Sequence, residues 1–459
     1  MIPKQEFSAS ATQKSRDDRH FGRLQFNLGR YREALRQGTD RWRRLKEARR
    51  IARDRKEAAL HRLPDLLEQF EDRLTAAGGE VRWAATADQA RQIVLDVLRE
   101  AGARTVVKGK SMVSEELHLN EALQTHGYKV WETDLGEFIV QLAGEKPYHI
   151  VTPAMHKSKE DVASLFAEKL GVPPNLSAEQ LTLEARRALR ERFRVADAGI
   201  TGANFILPDI GGIVLVENEG NIRLSTAMPA LHIAVVGIEK VIPAVTDLGL
   251  FLPLLATYGT GQRITNYVTI LRGPRQKQEK GGPQRMVVVL LDNGRTQLYH
   301  THPQSEALRC IRCGACLAVC PIYQTVGGHT YGTAYSGPIG SVISPFYEGF
   351  CDYRHLSHAS SLCGACAEIC PVEIPLDGLL LENRRYDVHR CRTSLPEKTM
   401  WKLWAWLMRH PEWIDRVPFT ARRLAFQVAS RQGWNEDRIA LEPAPESFRR
   451  WYQHHKPTS

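Results

Sequence analysis

All nine cysteines of this 459-residue chain fall between Cys310 and Cys391, and the 309 residues before Cys310 contain none. A disulfide framework would staple the whole chain, whereas short-spaced cysteines confined to one region point to metal and a reducing compartment. Seven of the nine lie in two runs. The first, CIRCGACLAVCP, places Cys310, Cys313, Cys316 and Cys320 before Pro321. In C-x2-C-x2-C-x3-C-P spacing, three thiolates wrap one [4Fe-4S] cube and the fourth reaches a neighbouring cube. Zinc sites use two separated pairs instead. The second run, SLCGACAEICP, supplies Cys363, Cys366 and Cys370 before Pro371, matching the last three positions of the first. The swapped arrangement predicts one cube on Cys310, Cys313, Cys316 and Cys370, and a second on Cys320, Cys363 and Cys366.

The second cube then has only three thiolates. Ser360 stands where the first run has a cysteine, and Cys351 lies twelve residues before Cys363. Either could be the fourth ligand. A partner's residue or solvent could also supply it, or the site could hold [3Fe-4S].

A chain of this length is expected to form two or three domains. From about Pro64 to His300, helical patterns alternate with apolar runs: RTVVKGKS, YKVWETD (Tyr128 to Asp134), PYHIVTPAM (Pro147 to Met155), GGIVLVENEG (Gly211 to Gly220) and HIAVVGIEKVI (His232 to Ile242). Apolar runs without alternation imply a parallel sheet covered on both faces, so an α/β domain is predicted over 64–300. RMVVVLLDNGRTQLYH (Arg285 to His300) is expected to form a hairpin turning at Asp292-Asn293-Gly294. A helical ferredoxin module over 301–390 and a Trp-rich helical region over 391–459 complete the predicted order.

Residues 1–63 form a basic arm. Between Lys14 and Lys56 there are 16 Lys or Arg against 6 Asp or Glu, a surplus of 10 equal to the net charge of the chain. The stretch from Arg41 to Leu63 favours a helix, with Leu45, Ala48, Ala52 and Leu60 as a thin apolar stripe. Trp42 is its single aromatic, which disfavours single-stranded nucleic acid. The arm is therefore expected to dock a partner protein, and its removal to spare the clusters. In the C-terminal region Trp401, Trp404 and Leu407 share a helical face, expected to be a core or interface, with membrane-surface contact as the other possibility.

The candidate ligand loops follow strand ends: Lys108, Gly109 and Lys110; Glu217, Asn218, Glu219, Gly220 and Asn221; and Tyr258 to Arg263. None matches a dinucleotide or P-loop pattern, and no catalytic residue is assigned. The apolar stretch from Pro229 to Gly259 is broken by charges and prolines, so no spanning helix is expected there. The N-terminus has no apolar stretch after its charges, so a cytoplasmic protein is expected.

Three stretches together carry a resemblance: GITGANFILPDIGGIVLVENEGNIRLSTAMPALHIAVVGIEKVIP, GTGQRITNYVTILRGPR, and EALRCIRCGACLAVCP with LCGACAEICPVEIPL. On these the chain resembles the lactate-utilisation iron-sulfur protein B family, from about residue 60 into the Trp-rich region. The resemblance implies an α/β domain of the LUD type, akin to the sugar-phosphate isomerase and CoA-transferase fold, followed by a ferredoxin module with two [4Fe-4S] clusters. The seven cysteines coincide with the family's ligands. It also implies a role in oxidising L-lactate to pyruvate beside two other subunits, one of them cysteine-rich; the electron acceptor stays open, with a peripheral-membrane or quinone-linked one among the possibilities.

The expected function is electron transfer rather than substrate oxidation, because no flavin or nicotinamide fingerprint is present. Two other readings compete. One makes the α/β domain an isomerase or acyl-CoA transferase using Glu217 or Glu219, with structural clusters. The other is an iron-sulfur regulator that binds nucleic acid through the basic arm.

Overall fold

A computed structural model describes residues 3–391, 395–433 and 443–455. The chain divides into two compact units, Met1–His389 and Arg390–Ser459.

The first unit is built on a six-stranded sheet in the order β1-β9-β7-β4-β2-β3. Its strands are β1 (Glu80–Ala84), β2 (Thr105–Lys108), β3 (Lys129–Glu132), β4 (Ala198–Thr201), β7 (Leu231–Gly237) and β9 (Arg285–Leu291). Every pairing is parallel, with registers such as Val106 opposite Ala198 and Ile233 opposite Val287. Alternate residues of each strand feed opposite cores. Val106, Ile233, Val287 and Val289 pack with Val94 and Leu98 of the helix Ala87–Glu100. On the other face, Val107 packs with Phe138, Phe166 and Leu189. This double burial is why the strands appear as unbroken apolar runs. A second, antiparallel sheet contains β5 (Phe205–Leu207), β6 (Gly212–Glu217) and β8 (Tyr267–Leu271).

The parallel sheet predicted from the sequence is present, but three elements differ. GGIVLVENEG forms β6 of the antiparallel sheet rather than a parallel strand. Pro147 to Met155 is irregular. There His149 Nδ1 accepts from the amides of Val151 (3.0 Å) and Thr152 (3.2 Å), so backbone donors are satisfied locally rather than by a neighbouring strand. The expected hairpin at Asp292-Asn293-Gly294 is absent. β9 runs parallel to β1 and β7, and Gly294 (φ +87°) leads into the helix Arg295–Tyr299. A side chain at Gly294 would also strike the Phe346 carbonyl.

Arg295 explains why the chain does not turn back. Its side chain is fully buried, with Nε donating to Glu239 Oε2 (2.6 Å) and the two terminal nitrogens donating to Glu116 (2.9 and 2.8 Å). Glu239 follows β7, so two strand ends and the helix Met112–Glu116 after β2 are tied at one edge of the sheet. The helical segments from Ala315 to Arg390 follow along the chain.

The basic arm is part of the first unit. The helix Asp18–Asp40 starts with the Asp17 carboxylate accepting from the His20 amide (2.9 Å), and it buries Leu24, Leu28 and Leu35 on one face. It packs on the helices Leu248–Thr260 and Pro321–Val326. Trp42 Nε1 donates to Thr257 Oγ1 (3.0 Å). In the helix Leu45–His61, Ala52, Lys56, Ala59 and Leu60 are buried. The arm predicted to dock another protein is thus covered on its apolar face by its own chain.

The second unit contains the helices Leu395–Arg409, Pro411–Arg416, Phe419–Gly433 and Phe448–His454. The Trp face predicted to be a core or interface is not a core of this chain, with Trp401 at 54% and Trp404 at 53% exposed. The two rings meet edge to face, 5.8 Å apart. Among the described residues, no helix is long and apolar enough to cross a membrane.

Removing one member of a desolvated ion pair leaves the other charge uncompensated, at a cost of about 3–5 kcal/mol. Arg295→Met is therefore expected to lower the stability of the first unit by about 3–5 kcal/mol, measured as a shifted midpoint in denaturant unfolding.

Candidate metal centre

Each cysteine run is shaped by its backbone. Arg312 (φ +62°) and Gly314 (φ +82°) take left-handed conformations that curl the loop around its sulfurs. The Arg312 amide donates to Cys310 Sγ (3.3 Å). A short helix, Ala315–Val319, carries Cys316, and Pro321 opens the next helix in the position where a missing N–H costs nothing.

The thiols fall into two groups. Cys310, Cys313, Cys316 and Cys370 line one cavity, whose remaining wall is mostly apolar, including Ile150, Ile339 and Leu376. Cys320 instead interacts electrostatically with Cys363, and Cys366 with Cys320. The short helices Ala315–Val319 and Ala365–Glu368, which carry Cys316 and Cys366, pack together. Cys363 is exposed, whereas the other members of its group are buried. Cys351 is disulfide-bonded and stands outside the seven free thiols.

Burial pushes the Cys370 thiol up to about 11 and the Cys366 thiol up to about 12, and it raises Cys313 and Cys316 as well. Such thiols ionise only when a cation replaces the proton. Backbone amides are already aimed at the sulfurs: Ala315 at Cys313, Ile339 at Cys316, Ile322 and Tyr323 at Cys320, and Val372 and Ile374 at Cys370. Four thiols around one small apolar cavity, with amides aimed at their sulfurs, fit an iron-sulfur cube.

The surroundings of the first group are strongly basic. Lys56, Lys240 and Arg312 each interact electrostatically with Cys310. Burial depresses Lys56 to about 7 and Lys240 to about 8. Lys56 Nζ donates to the carbonyls of Glu239 (2.6 Å) and Val241 (3.0 Å). Arg312 pairs with Glu239 (3.2 Å) and lies over the Tyr335 ring at 4.4 Å. Arg295 pairs with both Glu116 and Glu239, and Arg312 pairs with Glu239, while Lys56 and Lys240, brought towards neutrality by burial, lie beside Cys310.

A second cavity opens where the loops after β2 and β4 diverge, the switch point of the parallel sheet. Lys110, Ser111, Asn204, Lys240, Arg312 and Cys313 are on its wall. Of the predicted ligand loops, Lys110, Gly259 and Thr260 reach this cavity, but Lys108 does not. Lys108 is buried against Glu132 (2.8 Å), Glu115 (3.1 Å) and Ser114 (2.9 Å). Glu217 receives the amides of Ile222 (2.7 Å) and Arg223 (2.8 Å), and Glu219 receives that of Leu135 (3.1 Å). These carboxylates cap backbone, which leaves the transferase reading without a free nucleophile. Asn218 bonds Gln262 (3.0 Å), while Gly220, Asn221 and Gly261 shape helix ends.

The arm is a contribution that sequence reasoning missed. Arg49 donates to the carbonyls of Cys370 (3.1 Å) and Glu368 (2.6 Å), and Arg53 pairs with Glu373 (2.9 Å). The Tyr31 ring lies beside His149, and its hydroxyl donates to the Tyr258 carbonyl. No spacing in residues 1–63 signals a cluster, because these contacts use isolated side chains more than 250 positions before the first cysteine.

Comparison with known proteins agrees with this architecture. Residues 67–291 match the LUD domain and residues 306–374 the 4Fe-4S dicluster domain. Lactate utilization protein B of Shouchella clausii is 41% identical over 418 residues, covering 89% of this chain and 88% of that protein. The chain belongs to the lactate utilization protein B family. The Bacillus velezensis member is 41% identical, covering 88% of this chain and 87% of its own, and that of Bacillus licheniformis is 44% identical, covering 78% and 75%. The crystal structure of a DUF162 family protein from Deinococcus radiodurans matches 50% of this chain at 18% identity and a TM-score of 0.29, too distant to bear on the fold.

Two outcomes follow for a family member built this way. Lys240→Met is expected to lower the midpoint potential of the enclosed centre by about 60 mV, the one-electron equivalent of a tenfold change, in an EPR-monitored redox titration. Lys240→Arg is expected to hold it. Deleting residues 1–56 is expected to lose iron as well as stability, contrary to the expectation of a dispensable arm, and iron analysis of the purified truncation checks this.

Proposed function

We propose that the protein is the iron-sulfur electron-transfer component of a complex that oxidises L-lactate to pyruvate. It acts beside two other lactate-utilisation subunits, one of them cysteine-rich. Its relatives' name, lactate utilization protein B, supports the substrate. The observation that carries electron transfer is the pairing of an enclosed thiol group with one that reaches the surface at Cys363.

Cys310, Cys313, Cys316 and Cys370 hold one [4Fe-4S] cluster, and Cys320, Cys363 and Cys366 hold the other. When bound, each cluster accepts and releases one electron at a time. Lactate oxidation to pyruvate releases two electrons and two protons, so the two centres together match its electron count. The chain's residues set the electrostatics of this path. Lys56, Lys240 and Arg312 stabilise added negative charge at the enclosed site, and the amides of Ala315, Ile339, Val372 and Ile374 brace its sulfurs. The apolar wall around these thiols excludes water, which strengthens each of these interactions. Substrate oxidation is assigned to another subunit, since this sequence carries no flavin or nicotinamide fingerprint.

The test is anaerobic co-purification with the neighbouring gene products, followed by iron and sulfide analysis and EPR. About eight irons and eight sulfides per chain are expected. L-lactate should generate the reduced-cluster signal only when the partner subunits are present. Lactate oxidation by this chain alone, or clusters that stay oxidised in the full complex, would refute the reading.

A further inference from the structure

We infer that the Ser360 hydroxyl oxygen is the fourth ligand of the second cluster. This rests on the two-cluster reading above and assigns the position that three cysteines leave open.

The two runs share one backbone design. Ser360, Cys363, Cys366 and Cys370 each stand fifty residues after Cys310, Cys313, Cys316 and Cys320. Leu362 (φ +55°) repeats the left-handed turn of Arg312 (φ +62°), and Gly364 (φ +83°) that of Gly314 (φ +82°). Left-handed residues other than glycine are uncommon, so the same strained position in both runs marks a common purpose. The amide of Ala367 donates to the Gly364 carbonyl at 3.0 Å, as that of Leu317 does to Gly314 at 3.1 Å. The amide of Cys370 donates to Ala367 at 3.2 Å, as that of Cys320 does to Leu317 at 3.3 Å.

Within this repeat, Ser360 Oγ takes the part of Cys310 Sγ. The Leu362 amide donates to Ser360 Oγ at 3.2 Å, and the Arg312 amide donates to Cys310 Sγ at 3.3 Å. Among the described residues, this accepted bond is the only one Ser360 Oγ makes. The hydroxyl proton and the remaining lone pair are therefore uncommitted.

The segment is also held in place by buried groups. Arg384 donates to the carbonyls of Ser360 (2.7 Å) and Ser357 (2.9 Å). Fully buried Asn383 donates to Ser357 Oγ (3.1 Å) and to the Val342 carbonyl (3.0 Å), and Ser357 Oγ donates to the Ser341 carbonyl (2.7 Å). A serine that was only a loop residue would need no such anchoring. Cys351, the competing candidate, is disulfide-bonded.

Ligation forms one iron–oxygen bond and releases the Ser360 proton to solvent, with no change of oxidation state. The guanidinium of Arg384 beside the segment favours the resulting negative charge. An alkoxide is a harder donor than a thiolate, which makes this iron chemically distinct from the seven held by sulfur.

The experiment compares anaerobically purified full-length wild type, Ser360→Ala, Ser360→Cys and Cys351→Ala by iron and sulfide analysis, Mössbauer spectroscopy of isotopically enriched iron, and EPR after mild oxidation. Wild type should show one oxygen-ligated iron per chain, and Ser360→Cys should convert it to a sulfur-ligated one. Ser360→Ala should lose a single iron on oxidation roughly tenfold faster, the factor equivalent to about 1.4 kcal/mol. Cys351→Ala should match wild type. If the Ser360→Ala spectrum is unchanged, solvent is the ligand and the inference falls while the two-cluster reading stands. Loss of the second cluster in Cys351→Ala would equally overturn it. About four irons in wild type would overturn the two-cluster reading itself, and the ligand with it.

Discussion

The buried chain of charges from Glu116 through Arg295 and Glu239 to Arg312 holds the first unit in register. Glu116 follows β2, Glu239 follows β7, Arg295 follows β9, and Arg312 lies inside the first cysteine run. Tyr335 joins through its hydroxyl to Glu116 (2.8 Å), and Lys56 of the arm reaches the Glu239 carbonyl. Sheet, cysteine loop, helical module and arm thus meet at a few desolvated charges. Burial alone would push the Glu239 carboxyl up, but Arg295, Arg312 and Lys240 outweigh it and hold it low. Networks of this kind add little net stability over a well-packed apolar core, yet each partner tolerates few alternatives. The network therefore specifies which strand end faces the thiols.

The two thiol groups differ in solvation, and this gives the module a direction. The first is walled by apolar side chains and compensated by cations. The second includes exposed Cys363 and has one thiolate fewer. Neighbouring positive charge raises the potential of a centre, and solvent access to a centre brings it within reach of a partner's redox group. The charges between Lys14 and Lys56 that dominate the composition are in part this compensation, since Lys56 is buried beside Cys310 and Arg49 bonds the Cys370 carbonyl.

Much of the architecture was legible because its signals are local. Apolar runs such as VVVLL in β9 reflect double burial, and C-x2-C-x2-C-x3-C spacing reflects what one turn of chain can wrap around a metal. What stayed hidden depends on distant partners. Asp292-Asn293-Gly294 carries a hairpin signature, but Arg295 finds Glu116 and Glu239 and draws the chain into a helix instead. Of the predicted stripe Leu45, Ala48, Ala52 and Leu60, the last two are buried as expected, but the helix is also anchored by Lys56 and Arg49, residues a hydrophobic pattern ignores. Glu217 and Glu219 looked available because their hydrogen-bond donors, backbone amides, leave no mark in a sequence.

The arm's position bears on how the protein is made. Arg49 and the Cys370 carbonyl it holds are 321 residues apart, and Leu24, Leu28 and Leu35 belong to a helix that packs on segments beginning at Leu248 and Pro321. At ~5–20 residues per second, the ribosome needs roughly 15–60 s to deliver the residues that cover Arg49. Until Leu248–Thr260 and then Pro321–Val326 emerge, the helix Asp18–Asp40 has an apolar face and no surface of its own to bury it against. The arm can therefore close fully only after Cys370 has left the ribosome.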